Sequence, residues 1–332
     1  MIDLTEGFPA QCREAFSIAK AFDFPDNLRH CRSICVAGLG GSAAGGDFLR
    51  ALMDESGSTN VVVWRDYGLP SWVDNETLVI ACSYSGNTEE TLSAVKTAKE
   101  RGSKLLAITS GGELESLGFP TCKIPGGQPP RTALGYLFVP LAIAAEALGY
   151  LPEQDFDSAF GLLDQCKELW GMESHFEENE AKRIAERLVG CVPLVYGSGT
   201  WGGLVANRWK GQLCENAKVL AFANCFPELN HNEIMGWEGS EKQNVLQWSV
   251  LVLESGDESQ KMRKRIDVSC EILQSKAELR KVRPLGSSLL ERMLSLIYLG
   301  DFVSIYLAAL NDVDPETIDS INKLKAELSK VS

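Results

Sequence analysis

Short β-prone apolar runs alternate with segments of helical spacing along the N-terminal part of this chain, and that alternation constrains the fold most. Ser33–Ala37, Asn60–Trp64, Thr77–Cys82, Lys104–Thr109 and Thr121–Ile124 read as strands, with helices over Ala43–Met53 and Glu89–Arg101. Strands joined through helices form a parallel sheet with helices on both faces. Pro129-Pro130 then breaks the chain before an apolar helix over Thr132–Leu148. The polar, Pro-containing stretch 150–157 reads as a linker, and 158–189 as a long charged helical region.

A second α/β pattern follows. Strands are expected at Val192–Tyr196, Leu246–Leu253 and Leu279–Val282, with a further β-like run in KVLAFANC. Helices are expected over Trp201–Lys218, 257–276, 287–310 and 315–329. VAGLGGSAAGG in the first half and VYGSGTWGG in the second both read as strand, Gly-rich turn, hydroxyl and helix. The expectation is two tandem α/β domains, 1–152 and 153–332.

Composition narrows the function classes. With 45% apolar and 23% charged residues the chain is an ordinary globular protein. A net charge of −13 argues against a nucleic-acid surface. It also means that an anionic ligand must be held by local amides and cations against an unfavourable global field. The ten cysteines show no metal-binding spacing and read as reduced thiols of a cytoplasmic protein. MIDLTEGFPAQ lacks the basic and apolar regions of a signal peptide. The apolar stretch Tyr136 to Tyr150 contains Pro140 and Glu146, and reads as a buried helix rather than a membrane span.

Two loops carry the first chemical signal. Ser83-Tyr84-Ser85-Gly86-Asn87-Thr88 lies between a strand and a helix, and Gly38–Ser42 occupies the same kind of place at the end of a neighbouring strand. Helix N-termini present unpaired N–H groups and a positive dipole end, and hydroxyls and glycine add donors at close range. Both loops fall at the carboxyl edge of one sheet, where open α/β sheets bind their ligands. A phosphate cradle is expected there. Gly38-Leu39-Gly40-Gly41-Ser42-Ala43 also matches a dinucleotide fingerprint, with Asp66 as the ribose acid. Against that reading, Asp66 sits in the turn-like RDYGLP, and a dehydrogenase would not need the second hydroxyl loop.

Three further residues admit two readings each. Arg131, held at a helix start by Pro129-Pro130, is either a solvated charge or a delocalised cation for an anionic intermediate. Glu215 is a carboxylate near a helix C-terminus, where the dipole disfavours it, which marks either a surface residue or a functional one. His231, in PELNHNEI, is either a satisfied loop hydrogen-bonder or a proton-transfer group; no second His accompanies it for a metal.

Taken together, GLGGSAAGGDFLR, SYSGNTEET, ITSGG, PPRTALGYL, NRWKGQLCENAK, ELNHNEIMGW, LGDFVSIYLA and INKLKAEL resemble the bifunctional phosphoglucose/phosphomannose isomerase family of the sugar-isomerase (SIS) domain superfamily over nearly the whole chain. SxSGNT marks the superfamily, and ENAK followed by NHNE marks this branch. The resemblance implies two tandem SIS domains, each a five-stranded parallel sheet flanked by helices in a flavodoxin-like αβα sandwich, assembled as a homodimer. It implies sugar-phosphate binding by Gly41, Ser42, Ser83, Ser85 and Thr88, and enediolate stabilisation by Arg131. Glu215 would be the base. His231, which in related isomerases comes from the partner subunit, would assist ring opening with Lys325; Lys323 lies two residues away on another helix face. Such an aldose–ketose isomerisation calls for neither metal nor redox cofactor. The phosphate loops alone also permit a non-catalytic sugar-phosphate sensor, although no helix-turn-helix or basic face is visible.

Overall fold

The computed structural model describes residues 1–328 and Lys330. The chain opens with α1 (Ile2–Glu6) and α2 (Phe8–Ala21), followed by β1 (Ser33–Ala37), α3 (Gly40–Ser56), β2 (Asn60–Trp64), β3 (Thr77–Cys82), α4 (Glu89–Glu100), β4 (Lys104–Thr109), α5 (Gly112–Ser116), β5 (Thr121–Lys123) and α6 (Leu134–Ala147). After α7 (Phe156–Trp170) and α8 (Glu180–Leu188) come β6 (Val192–Ser198), α9 (Gly199–Ala217), β7 (Phe222–Phe226), α10 (Glu233–Gly236), β8 (Trp248–Leu253), α11 (Gln260–Leu273), β9 (Glu278–Val282), α12 (Leu289–Leu310) and α13 (Asp319–Leu328).

Two compact units result. The N-terminal unit comprises Glu6–Gln165 and Leu285–Leu294; the C-terminal unit comprises Met1–Thr5, Cys166–Pro284 and the residues from Ser295 on. In the N-terminal unit five strands pair in parallel in the order β2-β1-β3-β4-β5. β3 is buried at every residue, as a central parallel strand covered on both faces must be. On one side Cys35, Ala37, Val79, Ala94 and Ala98 pack together; α2 and α3 each pack on the apolar α6.

The C-terminal unit holds a parallel sheet of order β7-β6-β8-β9. Its core gathers Leu194, Tyr196, Phe226, Leu229, Trp237, Val250, Val252, Ile266 and Leu273. The five strands that the family resemblance implied for this domain are four among the described residues. After Val282 the chain passes through Arg283-Pro284 into helix, and no β-prone run remains to add a strand. The helical region 158–189 is two helices, because the chain turns at 171–179 and Asn179 caps α8 by accepting a hydrogen bond from the Lys182 N–H. β6 runs on to Ser198, since Gly197 and Ser198 pair with Cys225 and Phe226 of β7. The helix expected over 315–329 spans Asp319–Leu328; Ser329 lies outside the described residues.

α12 has the length and hydropathy of a membrane span, but 83% of its most apolar window is buried in the protein. It is a core helix. Its N-terminus carries a capping box. The Ser288 Oγ accepts from the Glu291 N–H at 3.2 Å, and the Glu291 carboxylate accepts from the Ser287 and Ser288 N–H groups at 2.8 and 2.9 Å. The Ser158 hydroxyl donates to the same carboxylate at 2.6 Å.

Candidate active site

In the N-terminal unit the loops at the carboxyl ends of β1, β3 and β4 meet. Ser83 and Thr88, at the two ends of the SYSGNT loop, join their hydroxyls at 2.9 Å, and the Gly86 N–H donates to the Ser83 Oγ at 3.1 Å. Thr88 is the N-cap of α4, yet its side chain makes no cap bond to the helix. Its hydroxyl is committed to Ser83, so the first-turn amides of α4 stay available for an anion. Gly86 has φ +70°, and a Cβ there would lie 1.7 Å from the Gly111 carbonyl oxygen of the β4 loop. Only glycine fits that crossing. The Asn87 Oδ1 accepts from the Glu113 N–H at 2.9 Å, and the Ser110 hydroxyl donates to the Tyr84 carbonyl at 2.6 Å. The loop is therefore held by hydrogen bonds within itself and to the β4 loop.

Gly41 and Ser42 lie in the first turn of α3. A Cβ on Gly41 would come 2.8 Å from the Pro130 carbonyl oxygen, so the backbone preceding Arg131 lies directly against this turn. Arg131 sits in a one-turn 3-10 helix, Pro130–Thr132, and is only 5% exposed despite its charge. Ser42 is also buried; its hydroxyl bonds to the thiol of Cys82, which burial pushes up to about 12. The structure thus brings Gly41, Ser42, Ser83, Ser85, Thr88 and Arg131 into one unit around one sheet edge, with Ser85 exposed on the loop crest.

Glu215, His231 and Lys325 belong to the C-terminal unit. Glu215 is half-buried in the last turn of α9 and lines a cavity of about 450 Å³ with Cys214, Lys218 and residues Thr317 to Ile321. Lys218 is the C-cap, in the left-handed region at φ +55°. Its Nζ donates to the Glu215 carbonyl at 2.6 Å and to the Thr317 carbonyl at 2.9 Å. A cation thus occupies the negative end of the helix and ties down the opposite cavity wall. Sequence reasoning passed over Lys218 and Thr317. The signal for Lys218 was present, as a basic residue ending an apolar helical pattern; Thr317 left none.

Lys325 is exposed on α13 and does not line this cavity. It lies one turn beyond Ile321, which does, and so shares its face; Lys323 lies on another. His231 ends a 3-10 turn, Glu228–His231, and is exposed. Among the described residues no group of three or more His, Cys, Asp and Glu is arranged to hold a metal.

Two parallel sheets with Gly-Ser and Ser-rich loops at their strand ends define a SIS-domain protein. The SIS domain family matches residues 27–116, and the family described as bacterial phospho-glucose isomerase C-terminal SIS domain matches residues 177–328. A bifunctional phosphoglucose/phosphomannose isomerase of Caldicellulosiruptor bescii is 39% identical over 100% of this chain and 99% of its own length. A D-glucosamine-6-phosphate 4-epimerase of Sulfolobus acidocaldarius is 32% identical over 94% of each chain. Among solved structures, the C-terminal domain of glucosamine-fructose-6-phosphate aminotransferase from Francisella tularensis superposes with a TM-score of 0.69 at 14% identity, covering 95% of this chain and 97% of that one. That likeness speaks to the fold alone. The chain belongs to the bifunctional phosphoglucose/phosphomannose isomerase family.

Proposed function

We propose that this chain is an aldose–ketose isomerase that interconverts glucose 6-phosphate and mannose 6-phosphate with fructose 6-phosphate. The observation that carries this is the Glu215 carboxylate in a 450 Å³ cavity, within a chain that aligns end to end with isomerases. A non-catalytic sensor would need the phosphate cradle but no such carboxylate.

The roles follow from the chemistry. The phosphate does not react, so binding it at Gly41, Ser42, Ser83, Ser85 and Thr88 spends binding energy on positioning C1 and C2. Ring opening needs an acid at the ring oxygen and a base at the anomeric hydroxyl, which we assign to His231 and Lys325. Glu215 takes the proton from C2 and returns it to C1. Arg131 stabilises the negative charge of the enediolate between those steps, an electrostatic contribution of several kcal/mol. Glucose and mannose 6-phosphates differ only at C2 and share one enediol, so one base serves both where the site accepts the C2 substituents in either configuration.

We take the active form to be a homodimer; the family resemblance and the exposure of His231 support this. The free cysteines, seven of them buried, support a cytoplasmic setting. The test is a coupled assay with glucose 6-phosphate and mannose 6-phosphate supplied separately. Both are expected to yield fructose 6-phosphate. Saturable binding without turnover would reject the isomerase, and C4 epimerisation of glucosamine 6-phosphate as the sole activity would move the chain to the epimerase reading.

A further inference from the structure

His231 is exposed, but the residues on either side of it are not loose. Upstream, Leu229 is 1% exposed in the core, and the Asn230 Nδ2 donates to the Ser269 Oγ of α11 at 2.8 Å. Downstream, the Asn232 Oδ1 accepts from the Glu233 N–H at 2.6 Å and starts α10. The Glu233 side chain then turns back to the sheet. Tyr196 on β6 and Asn224 on β7 are register partners, so their side chains leave the same face. Both donate to the Glu233 carboxylate: the Tyr196 hydroxyl to one oxygen, and the Asn224 Nδ2 to the other at 2.5 Å. The Trp237 Nε1–H donates to the Tyr196 hydroxyl at 3.2 Å, which ties the far end of α10 to the same point.

The donor polarity of this cluster is fixed. The Asn224 Oδ1 is already engaged by the Cys225 N–H at 2.8 Å, so its amide nitrogen faces Glu233. Burial, and then the bond to Glu233, push the Tyr196 hydroxyl well above its ordinary ionisation range, so it remains a donor. Two inward donors therefore demand an acceptor with two free oxygens. A carboxylate meets that demand. An amide would set its own N–H against a donor and leave a polar group unpaired.

We infer that Glu233 is a positioning residue for His231: the Tyr196–Glu233–Asn224 cluster fixes the loop that presents the imidazole. The inference rests on the reading of His231 as a ring-opening group.

Steady-state kinetics of glucose 6-phosphate isomerisation by the full chain test it. Glu233→Gln is expected to lower kcat about tenfold with KM changed less than about twofold. Glu233→Gln with Asn224→Asp restores donor–acceptor matching and is expected to recover most of kcat. Because Glu233 acts through His231, Glu233→Gln should cost nothing further in a His231→Ala background. Wild-type kcat in Glu233→Gln, or an equal loss with and without His231, overturns the inference. Should Glu233→Gln not fold, Tyr196→Phe removes one donor and is read against the same His231→Ala background, with the same outcomes deciding. Full activity in His231→Ala would instead bring down the ring-opening assignment and the inference with it, and an inactive wild type would bring down the isomerase reading.

Discussion

Glu215 carries the clearest consequence at the residue scale. Glu215→Gln keeps the size and removes the proposed base, so substrate affinity is expected to hold while kcat falls by at least about a hundredfold. Near-normal turnover would remove Glu215 from the chemistry. The paired change Ser85→Ala and Thr88→Ala should act oppositely, raising KM about tenfold with kcat little changed. An unchanged KM would place the phosphate elsewhere. All three residues stood out in the sequence, because a carboxylate at a disfavoured helix end and hydroxyls at a favoured one are local facts. The seat of Arg131 was not. Its closeness to Gly41 depends on the Pro130 carbonyl lying 2.8 Å from where a Cβ would be, a tertiary contact between segments far apart in sequence.

Loops and caps carry the consequences at the element scale. The Gly86 crossing leaves no room for a methyl group, so Gly86→Ala should cost roughly 1–3 kcal/mol and distort the cradle. Thermal unfolding and the KM for fructose 6-phosphate should both report the loss. The α12 cap gives acid sensitivity. The Ser158 hydroxyl first, then the Ser288 and Ser287 donors, hold the Glu291 carboxyl down from 4.5 to about 2. A depressed carboxyl contributes stability above its unfolded value, and that contribution is lost as pH falls from 4.5 toward 2. Glu291 is 7% exposed, so the effect is on the order of 3 kcal/mol. Glu291→Gln should therefore lower Tm at neutral pH, with the gap closing as pH drops through that window; a pH-independent gap would assign the loss to packing. The strand and helix pattern was largely legible because periodicity is local. The fifth strand of the second sheet was carried over from the family rather than read from a run of residues, and no such run exists.

Charge decides the whole-molecule consequence. At a net charge of −13 the protein repels a dianionic sugar at long range, while in the proposed binding mode the hydroxyl loops and the buried Arg131 would hold it at short range. Raising ionic strength from about 10 to about 150 mM shortens the screening length from roughly 30 to 8 Å, which weakens the first effect far more than the second. The KM for the sugar phosphate should stay flat or fall. A steep rise would reveal an attractive field that this sequence does not suggest. The charge was legible from the sequence; the division of the chain was not, because no composition shift marks Leu285–Leu294 as part of the first unit.

That division bears on how the protein comes into being. Synthesis proceeds from the N-terminus, and domains ordinarily fold in order as they emerge. The unit that begins at Glu6 is closed by Leu285–Leu294, so it waits for a stretch translated long after its own sheet. Until then Ser158 has no Glu291 carboxylate to meet. A gene fragment ending at Gln165 would yield an unfinished unit, and a faithful excision would have to graft the late segment back on.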